Sequence, residues 1–231
     1  MALVLLLLGV LTRAALKPYA AAQKNRHHAE VVAQLNSIKR GLWSHVIATG
    51  ALPCPLAVSS GQAPRATRPG RDPVQPCRVA QGGVPARRLG LPGAIDDGGA
   101  LLDPWNRPYL YVVSLASHAE RGNARQPDWI APGEASLVGI RELSADIVLC
   151  AGSSPLSCPT RDVTANQLAF VVFSTGLDDS ATGVQSENLD ADRDFVLQEH
   201  SVHPEHPYDD QLIWGSAAET MYWMLRAGWL P

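Results

Sequence analysis

Apolar and polar positions divide the chain into three stretches of different rhythm. Met1 to Leu11 is a run with no polar side chain, ending just before Thr12 and Arg13. From residue 14 to residue 49 a mixed pattern takes over, in which Val31, Leu35, Ile38, Leu42 and Val46 recur at steps of three and four. That is the period of one helix face, so residues 29–49 are expected to form a helix that buries this stripe. The only proline in the stretch, Pro18, would bend such a helix gently rather than end it. Gly50 followed by Pro53 marks its C-terminus. The opening run fits either the apolar region of a secretory signal, with Ala20-Ala21-Ala22 as a place to cut, or the first part of a long continuous helix. No charged residue precedes the run, and the helical pattern after it is unbroken, which favours the continuous helix. Eleven residues at about 1.5 Å each cover only about half of a ~30 Å bilayer core.

Beyond Gly50 the rhythm changes. Residues 50–100 are rich in Gly and Pro and read as loops. Leu101 to Pro108 reads as a turn, and Tyr109 to Ser114 as a strand. Residues 116–135 look like loop. Ala145 to Cys150 is a short apolar strand, and Leu168 to Ser174 is the strongest strand in the sequence. Residues 175–209 form a long acidic loop region, interrupted by an edge strand at Asp194 to Leu197. Gln211 to Trp214 is a last strand, and Ala217 to Ala227 a helix that stops at Gly228. The expected fold is α+β, a long N-terminal α-helix packed on a small antiparallel β-sheet with long irregular disulfide-bearing loops. Residues 1–28 are taken as an apolar and basic helix half that anchors, and 29–231 as the globular domain.

Composition sharpens this picture. The 231 residues, with eighteen prolines and nineteen glycines, suit one loop-rich domain plus an N-terminal extension. The net charge of −3 hides an asymmetry. Residues 1–50 hold six Lys or Arg against one acid, and residues 178–210 hold ten acids against Arg193 alone. No basic stripe with interleaved aromatics is present, so no nucleic-acid partner is expected. The four cysteines, Cys54, Cys77, Cys150 and Cys158, fall in Pro- or Ser-rich loops. Four cysteines allow three connectivities. Sequential pairing closes the shortest loops and is the expected one, in an oxidising compartment. A cysteine zinc site would want Cys-x-x-Cys spacing, which is missing.

Candidate chemistry concentrates in the acidic segment. Asp190, Asp192 and Asp194 alternate, with Glu187 and Asn188 before them and Asp209 and Asp210 later. Carboxylates crowded into one loop repel, and calcium takes six to eight hard oxygens in irregular loops. A possible calcium site is therefore placed on Asp190, Asp192, Asp194, Asp209 and Asp210. The competing reading is a solvated loop whose carboxylates cap turns and pair with Arg193. No EF-hand spacing occurs. No catalytic residue is assigned, and no enzyme is expected. His203-Pro204-Glu205-His206 is broken by its proline and cannot form a helical zinc motif. Ser174 lacks the Gly-x-Ser-x-Gly elbow. His27-His28 reads as part of a solvated helix face, and Gly82-Gly83 and Gly98-Gly99 lack the context of a phosphate loop.

Gly50-Ala51-Leu52-Pro53-Cys54-Pro55 directly after a long N-terminal helix resembles the type IV pilin-like family, the pseudopilins and minor pilins. Leu101-Leu102-Asp103-Pro104-Trp105-Asn106-Arg107-Pro108-Tyr109-Leu110-Tyr111 is similar to the Asp-Pro-Trp-Gly-Asn-x-Tyr-x-Tyr turn and strand of type II secretion pseudopilins, with the glycine missing and the turn one residue tighter. Phe173 to Asp179, Glu187 to Asp192, and Tyr208 to Trp214 resemble the C-terminal region of the same group. The resemblance implies a membrane-anchored, non-enzymatic subunit of a type IV pilus or type II secretion filament. Its partners would be other pilin or pseudopilin subunits, met through the N-terminal helix, and inner-membrane lipid. It implies a bacterial inner-membrane location with a periplasmic globular domain, and Leu3, Val4, Leu5, Leu6, Leu7, Leu8, Val10 and Leu11 as the anchor. It also strengthens the calcium reading, since some type II pseudopilins hold calcium in this C-terminal loop. Under the resemblance, Met1 corresponds to the methionine just after the family's glutamate, so that the leader and the first mature residues precede the sequence given. The alternative is a soluble exported domain, cleaved from a signal peptide, that binds a ligand or metal through residues 178–210.

Overall fold

The computed structural model describes residues 2–57, 77, 79–116, 127–130, 132–152, 162–177, 183–190, 192–203 and 206–231. Helix α1 (Ala2–Thr49) is continuous through Pro18 over 48 residues, a rod of about 72 Å. It ends as expected. Gly50 takes φ 70° and its amide donates to the Val46 carbonyl at 2.8 Å, a left-handed cap that a side chain would strain. Strand β1 (Gln81–Gly83), helix α2 (Ala86–Leu89), strand β2 (Leu110–Val113), helix α3 (Glu134–Val138), and strands β3 (Ile147–Cys150) and β4 (Val163–Ser174) follow. Next come a 3-10 helix (Gly183–Leu189), strands β5 (Asp194–Val196), β6 (Ser201–His203), β7 (His206–Tyr208) and β8 (Gln211–Ser216), and helix α4 (Ala217–Arg226).

Six strands form one sheet in the order β1-β2-β4-β3-β5, with β8 also paired to β4. Residues 170–173 of β4 pair with both β2 and β8, so this strand is central. Its centrality explains its sequence. On β2 and β4, Tyr111, Val113, Phe170 and Val172 join the core under α1, while Leu110, Val112, Val171 and Phe173 join a second core on the other face. A strand buried on both faces reads as an unbroken apolar run rather than an alternation. The predicted helix stripe meets the first face: Val31, Ile38, Leu42 and Val46 are fully buried and Leu35 nearly so. Trp43 sits edge-on to Phe170 with ring centroids 5.0 Å apart. That approach requires Gly215, because a Cβ there would collide with both rings. Helix α4 closes the bundle, its first turn capped by Ser216, whose Oγ accepts from the Glu219 amide at 3.0 Å.

Several expectations change. The sheet is not wholly antiparallel: β3 and β5 run parallel, which the long connection between them permits. The stretch 50–100 is not all loop, since β1 and α2 lie within it. Neither showed a period because each spans at most four residues. The edge position of β5, in contrast, is as read. The expected transmembrane helix and inner-membrane location are overturned: among the described residues, no helix is long and apolar enough to cross a membrane. The physical reason is length. The apolar run gives way to Arg13 and Lys17 after about half the thickness a bilayer core demands. The proposed anchor residues Leu3 to Leu11 lie on α1, and their side chains are outside the described residues.

Candidate functional site

Two corners of the molecule carry polar chemistry. The turn at Asp103 locks the sheet to its surroundings. Asp103 Oδ1 accepts from the amides of Trp105 and Arg107 at 3.0 and 2.9 Å, and its Oδ2 accepts from Ser174 Oγ at 2.7 Å. Burial pushes the Asp103 carboxyl up, and these bonds pull it back. Asn106 adopts φ 65°, filling with an asparagine the left-handed position that otherwise favours glycine. Ser174 is fully buried and also accepts from the Gly176 amide. Its hydroxyl therefore joins the turn to the end of β4.

The second corner is the acidic segment, folded over the second face of the sheet. Phe195 is buried in that second core, and Leu189 and Leu197 pack on it, which pins both ends of the segment. Between these pins Asn188 substitutes for a strand edge. Its Oδ1 accepts from the Val196 amide at 2.8 Å, and its Nδ2 donates to the Val196 carbonyl and to Asp210 Oδ2 at 3.2 and 2.7 Å. Tyr208 adds a hydroxyl bond to the same Val196 carbonyl at 2.6 Å. Asp190 Oδ1 and Asp192 Oδ1 accept from the amides two residues on, at 3.1 and 2.7 Å, and so curl the loop. The result places carboxylate oxygens of Glu187, Asp192 and Asp194 within 4.8 Å of one another.

The electrostatics follow from that crowding. Glu187 is buried, and desolvation together with repulsion from Asp190, Asp192 and Asp194 pushes its carboxyl up to about 7. Burial and the same neighbours raise Asp192. The local base is shared: Arg193 lies 3.7 Å from Asp146, donates to the Val113 carbonyl at 3.2 Å, and also acts on Asp192 through its charge. A cluster of three carboxylates that holds a proton near neutrality is one that can hold a metal ion instead.

The predicted ligand set is divided by this geometry. Asp192 and Asp194 come together, with Asp190 beside them. Asp210 is tied to Asn188, and Asp209 Oδ2 accepts from the Leu177 amide at 2.7 Å beside a separate cavity. Glu187 completes the cluster and was missing from the set. Its signal was available, since Val184 and Leu189 flank it as apolar anchors that would bury a residue between them. Cys54 and Cys77 are joined, with Cα atoms 5.3 Å apart. Cys150 is also disulfide-bonded, and its expected partner Cys158 lies outside the described residues. Pro204 and Glu205, in the histidine motif, lie outside them too, while His203 and His206 pair in the β6–β7 hairpin.

No family model, curated protein or solved structure matches this chain.

Proposed function

We propose that the chain is a pilin-like subunit, of the pseudopilin or minor pilin kind, which packs with other such subunits in a type II secretion or type IV pilus filament and catalyses no reaction. One observation carries the reading most. Helix α1 runs unbroken for 48 residues, and among its described side chains the fully buried stripe starts at Val31. Gln23, Asn25, Arg26, His28, Ala29 and Glu30 are exposed. The rear of the helix belongs to the domain core, and these exposed positions just ahead of it would meet neighbouring helices. Arg13, Lys17, Lys24 and Arg26 on that front half would meet acids of an adjacent subunit, a heterologous contact that propagates as a helix. The test is sedimentation of the native full-length chain. Large assemblies containing other helical-rod subunits, reduced by Lys17→Glu with Arg26→Glu, support the reading. A chain that stays monomeric at every concentration contradicts it.

The metal in this reading is calcium. Glu187, Asp192 and Asp194 supply hard oxygens, and backbone carbonyls and water complete the six to eight that calcium takes. The bound cation would cancel the repulsion that raises Glu187 and so order the acidic surface. Calorimetric titration with calcium that shows neither heat nor a rise in Tm contradicts this assignment.

A soluble exported domain that binds a ligand or metal is the second reading, favoured by the same carboxylate cluster and by a cavity of about 620 Å³ beside Trp105. Release as a shortened, monomeric chain that retains metal binding would favour it over the filament subunit.

A further inference from the structure

The edges of the main sheet end differently. At the β1 edge, Leu56 and Gly83 exchange amide–carbonyl bonds of 2.9 and 2.7 Å. At the β5 edge, the Asn188 side chain takes both the amide and the carbonyl of Val196. Strand β8 is bonded to β4 along one side, and among the described residues no backbone group bonds its other side.

The register tells which groups are left over. The Ser114 amide donates to the Ala169 carbonyl, so Ala169, Val171 and Phe173 turn their peptide groups towards β2. Val172 and Ser174 turn theirs towards β8, where they stand opposite Ile213 and Gln211. Ile213 and Gln211 are therefore the bonded positions, and the N–H and C=O of Leu212 and Trp214 point away from β4. Such a row is a template for another strand, and natural edges blunt it with lysine, proline or a covering segment. Gln211 to Ser216 holds neither lysine nor proline.

The space beside this edge is shaped for a chain. A cavity of about 240 Å³ is walled by Gln211, Leu212 and Ile213 together. Successive strand residues point to opposite faces, so a cavity that touches all three runs along the edge rather than over a face. Its far wall is α1, where Val32 is 43% exposed three positions from the buried Leu35. Asp209 and Asp210 line one end, exposed Glu199 lies between two wall residues, and no lysine or arginine is among the described wall residues.

We propose that β8 accepts an extended segment of a partner protein as an added strand, lying between β8 and the Val32 side of α1. The segment carries apolar residues at alternate positions and a lysine or arginine at the end beside Asp209. Bonds to the peptide groups of Leu212 and Trp214 supply affinity, and the walls that meet alternate side chains supply selectivity. The acidic walls favour a basic segment and speed its encounter. This docking stands without the filament reading, since it needs only the folded domain.

The experiment titrates the full-length chain into a fluorescein-labelled heptapeptide, Lys-Val-Thr-Val-Thr-Val-Lys, read by fluorescence anisotropy. Hydrogen exchange resolved to single amides is the second readout. In the free chain the Leu212 and Trp214 amides should exchange fast while the Ile213 amide is protected, and bound peptide should protect all three. Val32→Lys puts a positive charge and a longer side chain into the groove and should weaken binding about tenfold or more, as should glutamate in place of both peptide lysines. Val32 is partly exposed, so this variant should keep the wild-type melting temperature. The proposal is overturned if the peptide does not bind, if Val32→Lys binds it as the wild type does, or if Leu212 and Trp214 are already protected in the free chain, as a second copy on the same edge would make them.

Discussion

The interface between α1 and the sheet and the acidic corner on the opposite face are built on opposite terms. In the first, Val31, Leu35, Ile38, Leu42 and Val46 enter a core that includes Tyr111, Phe170 and Val172, and the stabilisation comes from apolar burial. In the second, Glu187, Asp192 and Asp194 converge, and the nearby Arg193 divides its charge between Asp192 and Asp146. The first is finished by folding alone. The second is held in place by Asn188 and Tyr208 despite an electrostatic cost, and that cost is what a bound metal would remove. The comparison separates what stabilises this fold from what gives it something to do.

The largest expected effect lies in the helix interface. Leu42→Ala removes a fully buried side chain and should lower stability by about 2–5 kcal/mol, visible as a lower denaturation midpoint with little change in slope. An unchanged midpoint would mean that α1 does not dock through this stripe. Cys54→Ser with Cys77→Ser opens a link across 23 positions and should cost about 2–4 kcal/mol. Reducing agent should have a similar effect on the wild type and none on the variant at this link. Asn188→Ala strands the Val196 amide and removes one partner of Asp210, with an expected loss of about 1–3 kcal/mol. Metal binding should weaken with it, because the 3-10 helix that presents Glu187 loses its clasp.

The smallest effect is the most specific. Glu187 titrates near 4.5 when unfolded and about 7 when folded, so the folded state holds the proton more tightly. Below pH 4.5 the group makes no difference. Stability from it falls as pH rises from about 4.5 to 7 and stays low above that. Glu187→Gln should therefore raise Tm at pH 8 in chelator and flatten the decline between pH 5 and 8. A change of 1 kcal/mol moves Tm by roughly 2–4 °C in a chain of this size. With calcium present the order should reverse, the wild type becoming the more stable.

What could be read from the sequence follows the same division. The α1 stripe was legible because a helix period repeats along one unbroken segment. The central strand β4 was legible as an apolar run, and its two buried faces explain why it did not alternate. Even β5 could be placed at an edge from Asp194, Phe195 and Val196. The acidic corner resisted because no period governs it. The 3-10 helix is held by an asparagine side chain acting as backbone, and nothing in the spelling of Asn188 announces that. Proximity in sequence also misled. Asp209 and Asp210 sit together in the chain, yet one caps Leu177 and the other binds Asn188. His28 and His200 are far apart in sequence and meet only because α1 passes the β5–β6 linker.

The filament-subunit account turns on which parts of α1 face other copies, and a cysteine scan in the native full-length protein reads this directly. Single cysteines at Ala14, Ala21 and Ala29, compared with one at Leu42, are oxidised in the assembled state and resolved without reductant. The account predicts cross-linked ladders with neighbouring subunits from front-half positions that fall on one helical face, and none from Leu42. Cross-links absent from every front-half position, with the chain intact and abundant, would contradict it.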